Sequence, residues 1–115
     1  MAELRYESFG IWSKLVFSGK ITYEITQKMK GEVEAQLLEM GEGTILVCDL
    51  SQVTFLDSSG IGCLVFLNNK MHQKGGSCCL YHPSDVVLKT LDLVQLTTFF
   101  DVVVNECDLI TRTSG

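Results

Sequence analysis

Residues 44–62 read TILVCDLSQVTFLDSSGIG, a hydrophobic run that ends in small and polar residues. The part at 44–50 has the length of one strand and is apolar almost throughout, with Asp49 as the exception. Such a run is typical of a central strand that is covered on both faces, as in a parallel sheet. We predict a short irregular connection over 51–56 and the start of a helix within 57–62.

Helical patterns flank this strand on both sides. Before it, apolar residues recur every three or four positions, which predicts a helix that begins after its N-cap Thr22 and ends at Gly41. These apolar residues are Ile25, Met29, Val33 and Leu37, with Leu38 and Met40 widening the stripe. After the strand, the apolar segment that starts in 57–62 predicts a second helix through Lys74, which the next two glycines end.

Shorter elements complete the pattern. Strands are predicted at 11–18, 77–81 and 99–104, with a further short strand at 4–9. A short helix at 86–91 follows a turn, and the polar tail at 106–115 is expected to form one or two turns through Leu109 and Ile110. Alternating strands and helices with short connections predict an α/β fold, with a mostly parallel central sheet of about four to five strands and about four helices.

Length, charge and hydropathy narrow the function classes. The 115 residues fit one domain, 1–115, with a core at about 12–104. Nine basic against fourteen acidic residues give a net charge of −5 without a basic cluster, so we expect no nucleic-acid partner. The longest apolar runs are far too short for a membrane span, and the first residues lack the apolar core of a signal peptide. These observations predict a soluble, cytoplasmic protein that does not bind membranes.

The reactive residue types do not form a motif for metal binding or catalysis. The five cysteines include no Cys-x-x-Cys pair, and the adjacent pair at 78 and 79 would point to opposite faces of a strand, so we expect buried, reduced thiols. His72 and His82 lack a second ligand at metal-site spacing, which predicts no metal. Neither a Gly-x-Ser-x-Gly motif nor a phosphate-binding glycine loop is present. We therefore expect a protein that is not an enzyme and has no cofactor.

The segment 57–62 is the candidate functional site. It lies where the central strand leads into the second helix, at the edge of the sheet where α/β folds bind ligands. Ser58 or Ser59 would cap the helix, and Gly60 and Gly62 would allow another backbone to approach closely. A phosphoryl group on a serine here would add about −1.5 to −2 charges at a helix start that favours negative charge, so docking would change while the fold stayed intact. The alternative is an ordinary helix cap with no further function.

The order of these features resembles the STAS domain family over roughly residues 12–104. The resemblance depends on GKIT at 19–22 before the first helix, DLSQVTFLDSSGIG at 49–62 before the second, and KGGS at 74–77. Within the family, the chain is similar to small stand-alone bacterial anti-sigma factor antagonists of the SpoIIAA and RsbV type. The resemblance implies a STAS-type fold. The chain departs from the family pattern at Lys20 and Thr22, where acidic residues are common.

The resemblance also implies a function in partner switching. Members of the family are phosphorylated by a partner kinase on the serine directly after the motif aspartate, which makes Ser58 the implied phosphorylation site. The implied kinase is of GHKL type and is also the anti-sigma factor. The unphosphorylated protein binds this kinase and frees the sigma factor, and a PP2C-type phosphatase restores that form.

The implied partner-binding residues are Asp57, Ser58, Ser59, Gly60, Ile61 and Thr22. The alternative within the family is an accessory subunit of a transporter or of a larger signalling complex, which is never phosphorylated.

Overall fold

The computed structural model describes residues 3–113, with side chains described through residue 111. This part of the chain forms β1 (Glu3–Ser8), β2 (Trp12–Ile21), α1 (Tyr23–Glu39), β3 (Ile45–Leu56), α2 (Ser58–Gln73), β4 (Ser77–Tyr81), α3 (Asp85–Leu93), β5 (Asp101–Val103) and α4 (Glu106–Thr113). The strands lie side by side in chain order, with β1 antiparallel to β2 and the other three pairs parallel. The predicted α/β fold, with a mostly parallel sheet and four helices, is confirmed.

The sheet buries different residues on its two faces because successive side chains of a strand alternate. On one face, Leu46, Cys48 and Leu50 of β3 belong to the larger core, to which α1, α2 and α3 contribute. On the other face, Val47 packs in a smaller cluster with Leu109 of α4. Helices therefore lie on both sides of the sheet, which explains why the first half of β3 is apolar almost throughout.

β3 is longer than the sequence predicts, because residues 51–56 are part of the strand. β2 also continues past Gly19 and pairs with this second half of β3, so that Ile21 lies opposite Leu56. The register shifts at two places in this pairing. Such bulges break the alternation of apolar and polar residues that marks a strand. The prediction of an irregular connection was wrong for this reason, since Val53 and Leu56 are buried strand residues.

Three further predictions concern the strand β5, the buried stripe of α1 and the helix α4. β5 spans only Asp101–Val103, and Phe99 and Phe100 lie in the irregular segment before it. Leu38 is 84% exposed, so it does not widen the buried stripe of α1, although Met40 is buried as expected. α4 has eight residues, about two helical turns, which confirms the short helix predicted in the tail. Residues 114–115 of that tail lie outside the described residues.

The cysteines are all free thiols, in three kinds of surroundings. Cys48, Cys78 and Cys79 are buried, and the adjacent pair does face opposite sides of the sheet, Cys78 in the larger core and Cys79 in the smaller cluster. The thiols of Cys48 and Cys78 form a hydrogen bond, with their Sγ atoms 3.9 Å apart. This bond and the burial of the thiol raise the pKa of Cys48. Cys63 is partly buried and Cys107 is exposed, so the expectation of buried thiols is confirmed in full for three of the five cysteines.

Candidate functional site

Two strand-to-helix junctions lie next to each other at one edge of the sheet. β2 ends at Ile21 and α1 begins two residues later, while β3 ends at Leu56 and α2 begins at Ser58. Ile21 and Leu56 are partners in the parallel pairing of β2 with β3. The backbone N–H of Asp57 donates to the carbonyl oxygen of Ile21 over 3.3 Å. The sheet therefore places the first turns of α1 and α2 side by side.

The Asp57 side chain holds both helix starts. Its Oδ1 atom accepts the backbone N–H groups of Ser59 and Gly60, at 2.9 and 3.1 Å. Its Oδ2 atom accepts the backbone N–H of Tyr23, the first residue of α1, at 3.2 Å. One carboxylate thus satisfies three amides that have no partner within their own helices.

This geometry corrects the predicted caps. Asp57 is the N-cap of α2, in place of Ser58 or Ser59. It has the extended backbone of an N-cap, and its carboxylate accepts hydrogen bonds from amides of the first turn. Thr22 does occupy the N-cap position of α1, as predicted, but its side chain makes no capping hydrogen bond. Asp57 supplies an acceptor to α1 from the neighbouring junction.

The predicted site residues lie at two depths. Ser58 is exposed at the first position of α2, and Thr22, Asp57 and Ser59 are half-buried beside it. Gly60 and Ile61 are buried beneath them. The structure thus brings the six residues together at one edge, four of them with surface that a partner can touch.

Gly60 and Gly62 differ in their surroundings. A Cβ atom at Gly60 would collide with the Leu56 side chain and would lie 3.1 Å from Ile21 Cγ2 and 3.2 Å from the Ile21 carbonyl oxygen. The expected close approach is therefore present at Gly60. At Gly62 no atom lies within 4 Å of such a Cβ, so that expectation was wrong for Gly62.

A groove between α1 and α2 adjoins the site. Its volume is about 310 Å³, and Tyr23, Ser59, Cys63 and Phe66 are among its lining residues. Tyr23 is 60% exposed. Burial raises the pKa of the Cys63 thiol to about 11, so this thiol is neutral at physiological pH and a poor nucleophile.

Other candidate residues serve the fold or lie at the surface. His72 and His82 are exposed. Asp49, the charged residue in the apolar run, accepts hydrogen bonds from the Ser51 backbone and hydroxyl at 3.0 and 2.7 Å, and its other oxygen lies 3.6 Å from Lys14 Nζ. Within residues 3–113, no three His, Cys, Asp or Glu side chains are grouped to hold a metal ion. The helices of this range include none with the length and apolar character to cross a bilayer.

Comparison with known proteins points to one family and one fold. The family model described as the STAS domain matches residues 10–109. A protein of Listeria monocytogenes named anti-sigma-B factor antagonist is 25% identical over 85 residues, which are 74% of this chain and 73% of that protein.

Solved structures share the fold at low sequence identity. An anti-sigma factor antagonist from Mycobacterium paratuberculosis gives a TM-score of 0.83 at 21% identity, covering 100% of this chain and 96% of that chain. The anti-sigma factor antagonist SpoIIAA in its unphosphorylated form gives 0.79 at 17% identity, covering 98% and 97%. The Bacillus cell fate determinant SpoIIAA in the phosphorylated form gives 0.70 at 16% identity, covering 96% and 98%.

Proposed function

Since the chain belongs to the STAS domain family, we propose that it is an anti-sigma factor antagonist whose binding is switched by phosphorylation of Ser58. In its unphosphorylated form it binds a GHKL-type protein that is both anti-sigma factor and serine kinase, and the sigma factor is released. Phosphorylation of Ser58 ends this binding, and a PP2C-type phosphatase restores it. The chain acts in the cytoplasm as the substrate of these two enzymes and is not itself an enzyme.

The observation that carries the proposal is the exposed Ser58 at the first position of α2. In the transfer, Ser58 Oγ attacks the γ-phosphorus of ATP, the bond to the bridging oxygen breaks and ADP leaves, and a base of the kinase takes the hydroxyl proton. The kinase needs an accessible hydroxyl on a backbone with a fixed conformation. The hydrogen bonds that Asp57 accepts from the backbone amides of Ser59 and Gly60 fix that backbone and leave the Ser58 hydroxyl outside the helix hydrogen bonds.

The chemistry of a phosphoserine explains why it would change binding rather than folding. The dianion is strongly hydrated and stands next to the carboxylate of Asp57, so a docked partner would have to desolvate it beside a like charge. We expect a loss of about 3–4 kcal/mol in binding, which is two to three powers of ten in affinity. A change of that size is enough to exchange one partner for another.

Phosphorylation in vitro tests the proposal. The purified chain is mixed with a candidate GHKL-type kinase and ATP, and the intact mass is measured. We expect the mass to rise by one phosphate in the natural chain and in the control Ser59→Ala, and to stay constant in Ser58→Ala. Ser58→Asp should bind the kinase poorly.

Two results would contradict the proposal. Phosphate incorporation into Ser58→Ala would place the modification at another residue. A chain that stays unmodified by its cognate kinase and binds a transporter or a larger signalling assembly would instead be the accessory subunit that the family also contains.

A further inference from the structure

We infer that the surface between α1 and α2 is a second docking site for the partner that recognises Ser58, and that its occupant is an apolar segment carrying acidic side chains. This inference rests on the proposed function, because it concerns the same partner. The surface consists of two adjoining depressions, which we call the α1–α2 groove.

The half of the groove next to the first turns of α1 and α2, which we call the upper half, begins beside the candidate phosphorylation site. Ser59, the neighbour of Ser58, lines it together with Tyr23 from the first turn of α1. Cys63 and Phe66 line it further along α2, and Lys30 lines it from α1. A partner bound at the Ser58 hydroxyl therefore lies next to the end of the groove that Tyr23 and Ser59 line.

The lower half continues along the same two helices. Phe66 lines this depression as well, which has a volume of about 510 Å³ and is also lined by Leu37, Leu38 and Lys70. Leu38 is 84% exposed, so its apolar side chain is left uncovered beside the Phe66 ring. Apolar surface that is contiguous along a groove marks a site for a partner more often than single exposed leucines do.

The charge of the groove selects the kind of partner. Three lysines line its two halves, Lys30, Lys70 and Lys74, against one acidic residue, Glu34. The whole chain has the opposite balance, with nine basic and fourteen acidic residues. Lys70 Nζ lies 5.7 Å from the centroid of the Phe66 ring, so a positive charge stands directly over the apolar part of the groove. An occupant with apolar side chains flanked by carboxylates fits both features.

The same charges explain why phosphorylation of Ser58 would weaken binding and not strengthen it. An acidic segment is attracted by the lysines and repelled by a dianion on Ser58 at the upper end of the groove. The repulsion acts over about 8 Å at physiological ionic strength, so it reaches the part of the segment that lies next to Ser59. Phosphorylation would therefore weaken the groove contact in addition to blocking the contact at Ser58 itself.

Charge reversal on exposed lysines tests the inference. The probe is the purified candidate GHKL-type kinase with ADP, and the dissociation constant is measured by calorimetry at about 50 mM and about 300 mM salt. We expect Lys30→Glu and Lys70→Glu each to weaken binding about 3- to 10-fold at the lower salt concentration, and less at the higher one. Leu38→Ala should speed dissociation, because it removes apolar contact without changing charge.

Two exposed lysines outside the groove provide matched controls. Lys28 lies on the same helix as Lys30 and lines a separate depression near β1, and Lys89 lies on α3. Lys28→Glu and Lys89→Glu change the net charge by the same amount, so they should weaken binding less than about twofold if position in the groove is what matters.

The outcomes separate this inference from the proposed function. If Lys30→Glu and Lys70→Glu bind like the two controls while Ser58→Asp still abolishes binding, the groove is not a docking site and the proposed function stands. If the reversals tighten binding, the occupant is basic and the inference is wrong. If Ser58→Asp binds as well as the natural chain, the phosphorylation switch itself fails, whatever the lysine variants do.

Discussion

At position 57, one carboxylate accepts three backbone amides, two from α2 and one from α1. The sequence predicts a helix start within 57–62, where α2 does begin, but it favours Ser58 or Ser59 as the cap. Aspartate and serine are nearly equal as N-caps, and sequence patterns define a helix start only to within a residue or two. The bond to Tyr23 could not be predicted, because it joins residues 34 positions apart.

The two glycines of the segment allow a test at the level of single residues. We expect Gly60→Ala to lower the free energy of unfolding by about 1–3 kcal/mol, because the added methyl group meets the buried Leu56 side chain and the Ile21 backbone. Gly62→Ala should leave stability unchanged or raise it by about 0.5–1 kcal/mol, since the space there is open and alanine favours the helix. Urea denaturation measures both values. Equal effects of the two substitutions would show that the close approach at Gly60 is not real.

At the scale of elements, Asp57 links α1 to α2 at their first turns. We expect Asp57→Asn to keep the cap on α2, because an amide oxygen can still accept from Ser59 and Gly60, and to lose the bond to Tyr23. The Tyr23 amide proton resonance should therefore move upfield in this variant while those of Ser59 and Gly60 change little.

Asp57→Ala is the matched comparison for that link. It removes both acceptors, so all three amide resonances should move, and the free energy of unfolding should fall by about 1–2 kcal/mol. A Tyr23 resonance that stays in place in both variants would contradict a bond between Asp57 and α1.

The elements also show where sequence patterns succeed and where they fail. The apolar run around Leu46, Cys48 and Leu50 predicted a central strand because helices cover both faces of the sheet there. The second half of β3 was missed because its pairing with β2 shifts register twice, which destroys the two-residue period. Helical spacing predicted that Leu38 would be buried with the rest of the apolar stripe. Which edge of such a stripe packs against the sheet depends on tertiary contacts, and the spacing alone does not encode them.

At the scale of the whole molecule, the fold creates surfaces that no local pattern contains. Tyr23 and Phe66 are distant in sequence, and they line one groove only because β2 and β3 pair in parallel and deliver α1 and α2 to the same edge. The same pairing gathers three lysines on a chain of net charge −5. Overall composition predicted an acidic protein and gave no indication of this local positive charge.

The whole molecule should keep its fold when Ser58 is phosphorylated. Ser58 is exposed, and negative charge at the start of α2 is favourable by about 0.3–1 kcal/mol, which offsets repulsion from Asp57. We therefore expect the phosphorylated and unphosphorylated forms to differ by less than about 1 kcal/mol in free energy of unfolding, with superimposable far-ultraviolet circular dichroism. Kinase binding, measured on the same two samples, should differ by two to three powers of ten. A phosphorylated form that loses more than about 2 kcal/mol of stability would mean that the modification acts by disturbing the fold, because a charge held at the surface does not cost that much.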